Sequence, residues 1–352
     1  MVNDQMDIPR PAPLMRTFGW SMLALLATYL INNYLFVAKG WPGMAALLSG
    51  EFNLQSVIML AIYAAGFALA ILYVMRSRAT SLRTDAARVT RFNTWLIRGF
   101  FWAVLFVGLA DMAISFLRVE GLLGHFFSED MIKQLGRSQW RGAYVHWPLI
   151  GLGMFLALFT RTIGFHWLAL LIVVAELVIV FTRFIFSYEQ AFMGDLVRFW
   201  YAALFLFASA YTLLEEGHVR VDVLYANLSS TARGAVNAFG AILLGMSLCW
   251  TIIIIGTRGK ASIIYGPLSN FEVSQSGFGM YTKYLMAGFL GVFAITMLIQ
   301  FVSQMFESYA DYRDEPGGRE IESDEDYLVD TSIADLDPNL NDSSPVTGGQ
   351  SR

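Results

Sequence analysis

A single cysteine, Cys249, sits inside an apolar run, so the chain has no internal disulfide and no site built from several cysteines. It reads as a small buried apolar residue. Charge is also scarce, at 15% of 352 residues against the roughly 25% usual in soluble domains. The sequence has no Walker A sequence, no GxGxxG at a strand–helix turn, no HExxH and no GxSxG. Nucleotide hydrolysis and soluble-type catalysis are therefore not expected, and no enzyme, metal or cofactor is assigned. No basic cluster alternates with aromatics, which excludes a nucleic-acid partner.

What is abundant is apolar sequence: 56% of residues are hydrophobic and the mean hydropathy is +0.52. Apolar runs of the roughly 20 residues that span a bilayer recur along the chain. They extend from Phe18 to Val37, Ser56 to Met75, Gly99 to Leu117, Ala143 to Thr160, Phe165 to Phe186, Leu196 to Leu214, Ala235 to Gly256 and Thr282 to Phe306. Pro148, near the start of the fourth, fits the first turn of a helix. The first run is longer than the ~7–15-residue core of a cleavable signal peptide and reads as a permanent anchor. These runs predict an all-α integral membrane protein of about eight transmembrane helices.

Orientation follows from basic residues in short connections. Arg76, Arg78, Arg83, Arg88, Arg91 and Arg98 crowd the stretch between the second and third runs, which is therefore expected in the cytoplasm. Eight spans then place both termini there, N-in/C-in. Arg10, Arg16, Arg161, Arg220 and Arg233 agree, whereas Lys133, Arg137, Arg141, Arg258 and Lys260 fall on the opposite side. Leu82, Val89, Phe92, Trp95 and Leu96 share a helical side, so this stretch also reads as an amphipathic helix lying on the membrane surface. Tryptophans near run ends, including Trp147, Trp167 and Trp200, suit the headgroup level. The net charge is −4, but Asp and Glu concentrate after Glu307, so the rest is net basic. That acidic, apolar-poor stretch cannot bury enough surface to order itself and is expected to be a disordered tail. The expected regions are a cytoplasmic N-terminus (1–17), a four-helix region (18–160), a second four-helix region (161–306) and the tail (307–352).

Ionisable residues within the runs matter because charge in hydrocarbon needs a partner or a polar path. Asp111 and Glu176 are the intramembrane candidates, with Arg118 and Arg183 seven residues beyond them. Seven residues is about 10 Å of helix, so partners on other helices are expected for these groups. Glue between helices is the preferred reading over a proton path, because no run shows the paired Gly/Pro breaks of a transporter core. His146 and His166 lie near opposite ends of adjacent spans, which disfavours a shared haem.

The sequence AYTLLEEGHVRVDVLYANLS, from Ala210 to Ser229, carries a specific signal. If the HVRVD segment is extended, His218, Arg220 and Asp222 share one side, and if helical they spread around the axis. Together with Asp195 before the preceding span, the later FEVSQSGFGMYTKY (Glu272, Ser274, Gly277, Lys283) and the pair Ile299–Gln300, it resembles the small membrane subunit (DctQ-type) of TRAP transporters, the tripartite ATP-independent periplasmic family. The resemblance covers roughly Phe165 to Phe306, and the first four spans have no counterpart in it. It implies an accessory permease subunit, in the bacterial inner membrane, of a sodium-coupled secondary transporter. Its implied partners are a large membrane subunit (DctM-type), a periplasmic solute-binding protein and the lipid bilayer. It also marks Asp195, His218, Arg220, Asp222, Glu272, Ser274 and Lys283 as subunit or membrane-interface candidates, to which Arg183 is added as an ionisable residue near the end of its run. The alternative is a membrane anchor subunit of a redox or respiratory complex.

Overall fold

The computed structural model describes residues 12–50, 52–161, 165–188, 190–214, 225, 228–274 and 279–317. Eight helices carry the architecture: α1 (Pro13–Val37), α2 (Leu54–Arg76), α3 (Leu82–Val119), α4 (138–156), α5 (Phe165–Phe186), α6 (Ala191–Leu214), α7 (Ser230–Thr257) and α8 (Lys283–Tyr312). Seven of them, all but α4, are long and apolar enough to cross a membrane. The expected all-α membrane architecture is present, with seven long helices among the described residues where about eight were expected.

The helix starts follow local chemistry. Pro13 opens α1, where its missing N–H costs nothing. Asn53 caps α2 by accepting from the Gln55 N–H (3.0 Å), and Ser81 caps α3 by accepting from the Thr84 N–H (3.2 Å). Ser229 does the same for α7 through Ala232 (3.3 Å).

The fourth run is built from short pieces, and α7 holds a similar π turn over Ala241–Met246. Pro148 has no N–H to donate to the preceding turn, and the chain forms a π turn over Gly142–His146 between the short α-helices Ser138–Arg141 and Trp147–Leu156. Arg141 and His146 fall in the first half of this helix, ahead of its apolar Trp147–Leu156 stretch. It still packs along the apolar part of its neighbour: Arg141 meets Asp111 of α3, and beyond the far end the Arg98 guanidinium donates to the Thr160 carbonyl while Trp102 Nε1 donates to Thr160 Oγ1 (3.1 Å).

The arginine-rich stretch is not a separate surface helix. It forms the first turns of α3, an unbroken helix of 38 residues. At ~1.5 Å per residue this is about 57 Å, against about 30 Å of hydrocarbon. Leu82 and Val89 are buried in the bundle, while Phe92 is 53% exposed. Continuation wins because Asn93 on α3 donates to the Thr296 carbonyl (2.9 Å) and to Gln300 (3.2 Å) of α8, and Ser303 of α8 donates to the Ala86 carbonyl (2.9 Å). Polar bonding thus continues below the apolar stretch.

Helix α8 is the most buried of the seven and packs on α1, α3, α6 and α7. Small residues allow the closest approaches. Gly19 of α1 lies under the Phe306 ring, Gly108 of α3 under the Trp200 indole, and Gly234 of α7 against the backbone of Ser308 and Tyr312. Trp200 is therefore a core residue, 2% exposed, and does not sit at headgroup level, whereas Trp147 and Trp167 are 55% and 68% exposed. Cys249 is buried as expected.

Two ends can be told apart. At one, Arg16 is fully buried and donates to Asp85 (2.7 Å), to the Ser77 carbonyl (2.6 Å) and to Ser77 Oγ (2.8 Å), while Trp20 Nε1 also donates to Asp85 (3.1 Å). At the same end, Arg83 joins Glu307 and Asp311 of α8, each at 2.9 Å. The α8 helix therefore continues to Tyr312, past the expected start of the acidic tail at 307, because these two acids have a fixed cation. The remainder of that tail, from 318, lies outside the described residues. The first and last described helices both have their outer ends here.

Candidate functional site

The opposite end holds a buried polar junction. Asp111 lies on α3, Arg141 and His146 on α4, and Tyr281 and Tyr284 at the start of α8. All five are buried. Asp111 Oδ1 accepts from Arg141 Nη1 (2.8 Å) and lies 3.1 Å from His146 Nε2, and its Oδ2 accepts from the Tyr281 backbone N–H (2.7 Å). A carboxylate offers only lone pairs, so His146 Nε2 carries the proton and donates, and His146 Nδ1 pairs with the Tyr284 hydroxyl (2.8 Å). The remaining Arg141 donors close on the Leu135 carbonyl (Nε 3.0 Å, Nη2 2.7 Å).

Two guanidinium groups lie close to the Tyr281 ring, with Arg141 at 4.1 Å and Arg118 at 4.6 Å from its centre. Its hydroxyl accepts from Arg118 Nη1 (2.7 Å) and donates to the Gly136 carbonyl (3.1 Å). Arg118 Nη2 donates to the Gly279 carbonyl (3.1 Å). Cation–π contact of this kind gains strength when water is excluded. Arg118 thus binds inward instead of reaching for the headgroups. The partners of Asp111 are interhelical, as the seven-residue spacing predicted.

Close by, a second carboxylate does a parallel job. Asp195 of α6 accepts from the Met280 backbone N–H (3.1 Å) and the Ser274 hydroxyl (3.0 Å). Consecutive amides, Met280 and Tyr281, are therefore held by acids from two different helices. Glu272 pairs with Lys283, and its carbonyl accepts from the Tyr284 N–H (3.0 Å). Four candidates read from the sequence, Asp195, Glu272, Ser274 and Lys283, meet at the start of α8. Glu176 and Arg183 lie elsewhere, on the exposed side of α5. His218, Arg220, Asp222 and Gly277 lie outside the described residues.

Sequence reading missed Arg141, Tyr281 and Tyr284. Arg141 counted only as a misplaced loop charge, yet an arginine and a histidine five residues apart ahead of a proline were a usable signal. The junction acts as a clamp: a charge pair and its hydrogen bonds, closed off from water, tie α3, α4 and α8 together. Both ring nitrogens of His146 are engaged, which leaves neither for a haem iron. Among the described residues no three His, Cys, Asp or Glu side chains gather as a metal would need.

Comparison with known proteins places one part of this multi-pass chain. No curated protein and no solved structure matches it. The match that exists begins within α5 and ends within α8, leaving α1–α4 outside and taking in Asp195, Ser274 and the start of α8. Residues 169–310 match the family model of tripartite ATP-independent periplasmic transporters, DctQ component.

Proposed function

We propose that this chain is a small, accessory membrane subunit of a TRAP-type secondary transporter, one that scaffolds a larger transport subunit. The family match over α5–α8 carries the reading. The clamp supports it, because closed, fully buried hydrogen bonding suits a fixed frame better than a moving element. In this reading the large subunit binds substrate and the coupling ion, sodium, and a periplasmic binding protein delivers an organic acid or a similar solute. The complex sits in the bacterial inner membrane.

The arginine-rich end of α3 faces the cytoplasm, following the bias of basic residues toward that side. The segments Glu120 to Tyr144 and Thr257 to Tyr281 then face the periplasm and the binding protein. Arg258 and Lys260 are exposed there. Reversing both (Arg258→Glu with Lys260→Glu) is expected to lower solute uptake and binding-protein affinity, since rim charges govern encounter. The melting temperature of the subunit should not move. Unchanged uptake and affinity would remove these segments from the docking face.

The decisive test is a mild-detergent pull-down with this chain as bait, read by mass spectrometry. A co-purifying, much larger polytopic protein is the expected result. Haem- or flavin-bearing subunits, or no partner, would overturn the reading in favour of a redox anchor or an autonomous carrier.

A further inference from the structure

Helix α5 carries a charge that the rest of the fold leaves alone. Glu176 is twelfth of the 22 residues in Phe165–Phe186, about 15 Å from either end at ~1.5 Å per residue. It is exposed, and among the described residues it has no hydrogen bond or ion pair. Its flank of α5 is apolar and open, with Val173 60% and Val180 48% exposed. The helix adheres to the bundle by a narrow stripe, through the buried Leu168, Ile172 and Ala175.

Neighbouring α6 carries an exposed charge of the opposite sign, held only by a long pair on its own helix. Arg198 has a side chain 76% exposed, and Asp195 at 3.8 Å is its nearest acid. That contact is long and uses Oδ1, while Oδ2 accepts from Met280 and Ser274, so Arg198 shares its acid with two other donors. Tyr201 and Phe205, on the following turns, are 52% and 58% exposed. An ionisable group at hydrocarbon depth needs a partner, and lipid chains offer none.

We infer that the outer face of α5 and α6 is a docking surface for a transmembrane helix of a larger membrane protein, which brings a lysine or arginine to Glu176 and a hydrogen-bond acceptor to Arg198. The inference rests on the accessory-subunit reading and deepens it, by naming the surface and the chemistry of its counterpart. Charge complementarity selects the occupant. Acyl chains would cover the apolar residues equally well but leave Glu176 unmatched.

The test uses the full chain in its own membrane, with the photo-crosslinker benzoylphenylalanine at Val173, Val180 or Tyr201. Leu69 on α2, 65% exposed, is the control. The expected result is an adduct with a larger polytopic protein from the three α5–α6 positions and none from Leu69. Glu176→Lys should cut the adduct yield roughly tenfold or more, because like charges then face each other, while Glu176→Gln should cut it less. An adduct from Leu69 but not from α5–α6 would overturn this surface and leave the accessory role standing. An adduct between two copies of this chain, or a yield indifferent to Glu176→Lys, would also overturn it. No protein adduct at any position would overturn both the surface and the accessory reading.

Discussion

Asp111→Ala is expected to destabilise the chain by about 3–5 kcal/mol, because it strands a buried guanidinium without its counter-charge. Arg141 has no exposure, and among the described residues its only other hydrogen-bond acceptor is the Leu135 carbonyl. The same change releases the Tyr281 N–H and the His146 Nε2–H. The variant should show a large loss of monodisperse protein after detergent extraction and a clearly lower midpoint of thermal unfolding. The double variant Asp111→Leu with Arg141→Met should recover much of that loss, since removing both charges removes the need to solvate either. A single variant as stable as the parent, or a double variant worse than either single, would show that the pair does not hold α3 to α4.

Gly153→Leu is the second change with a large expected effect. A Cβ at Gly153 would stand 2.5 Å from the Ala103 nitrogen, 2.8 Å from its Cα and 3.0 Å from the Trp102 carbonyl carbon. All three are backbone atoms, which cannot rotate away, so α3 and α4 must separate. Overpacking of this kind costs about 1–3 kcal/mol, and separation would also pull Arg141 from Asp111. Gly151, two residues earlier, provides the control, because a Cβ there meets nothing within 4 Å. Gly151→Leu should leave the unfolding midpoint unchanged or raise it slightly, since Leu is the better helix former. Equal losses from both substitutions would refute the close-approach argument.

The seven long helices were legible because length and apolarity alone place a helix in a bilayer. What hydropathy could not see was the lower half of α3. Arg83, Arg88 and Arg91 read as a surface helix, since nothing local says that Asn93 will find Thr296 and Gln300 about two hundred residues away. The start of α8 was half legible. Asp195, Glu272, Ser274 and Lys283 stood out as polar marks, and the structure joins Asp195 to Ser274 and Glu272 to Lys283. Their role was not legible, because it is expressed through backbone amides of Met280 and Tyr281, which have no signature in side-chain identity. Arg141 was hidden for a related reason. A charge beside an apolar run looks like a loop residue until a second helix brings it a carboxylate.

The position of α8 in the chain has a consequence for biosynthesis. The ribosome makes this helix and the residues that lead into it after α1 to α7, yet they supply the amide that Asp111 accepts, the amide that Asp195 accepts, and the carbonyl that Asn93 donates to. Until they arrive, the earlier helices wait in the bilayer with those groups unmatched and with the Gly19 and Gly234 surfaces uncovered. The nascent bundle therefore stays open to membrane proteases until α8 inserts and closes it.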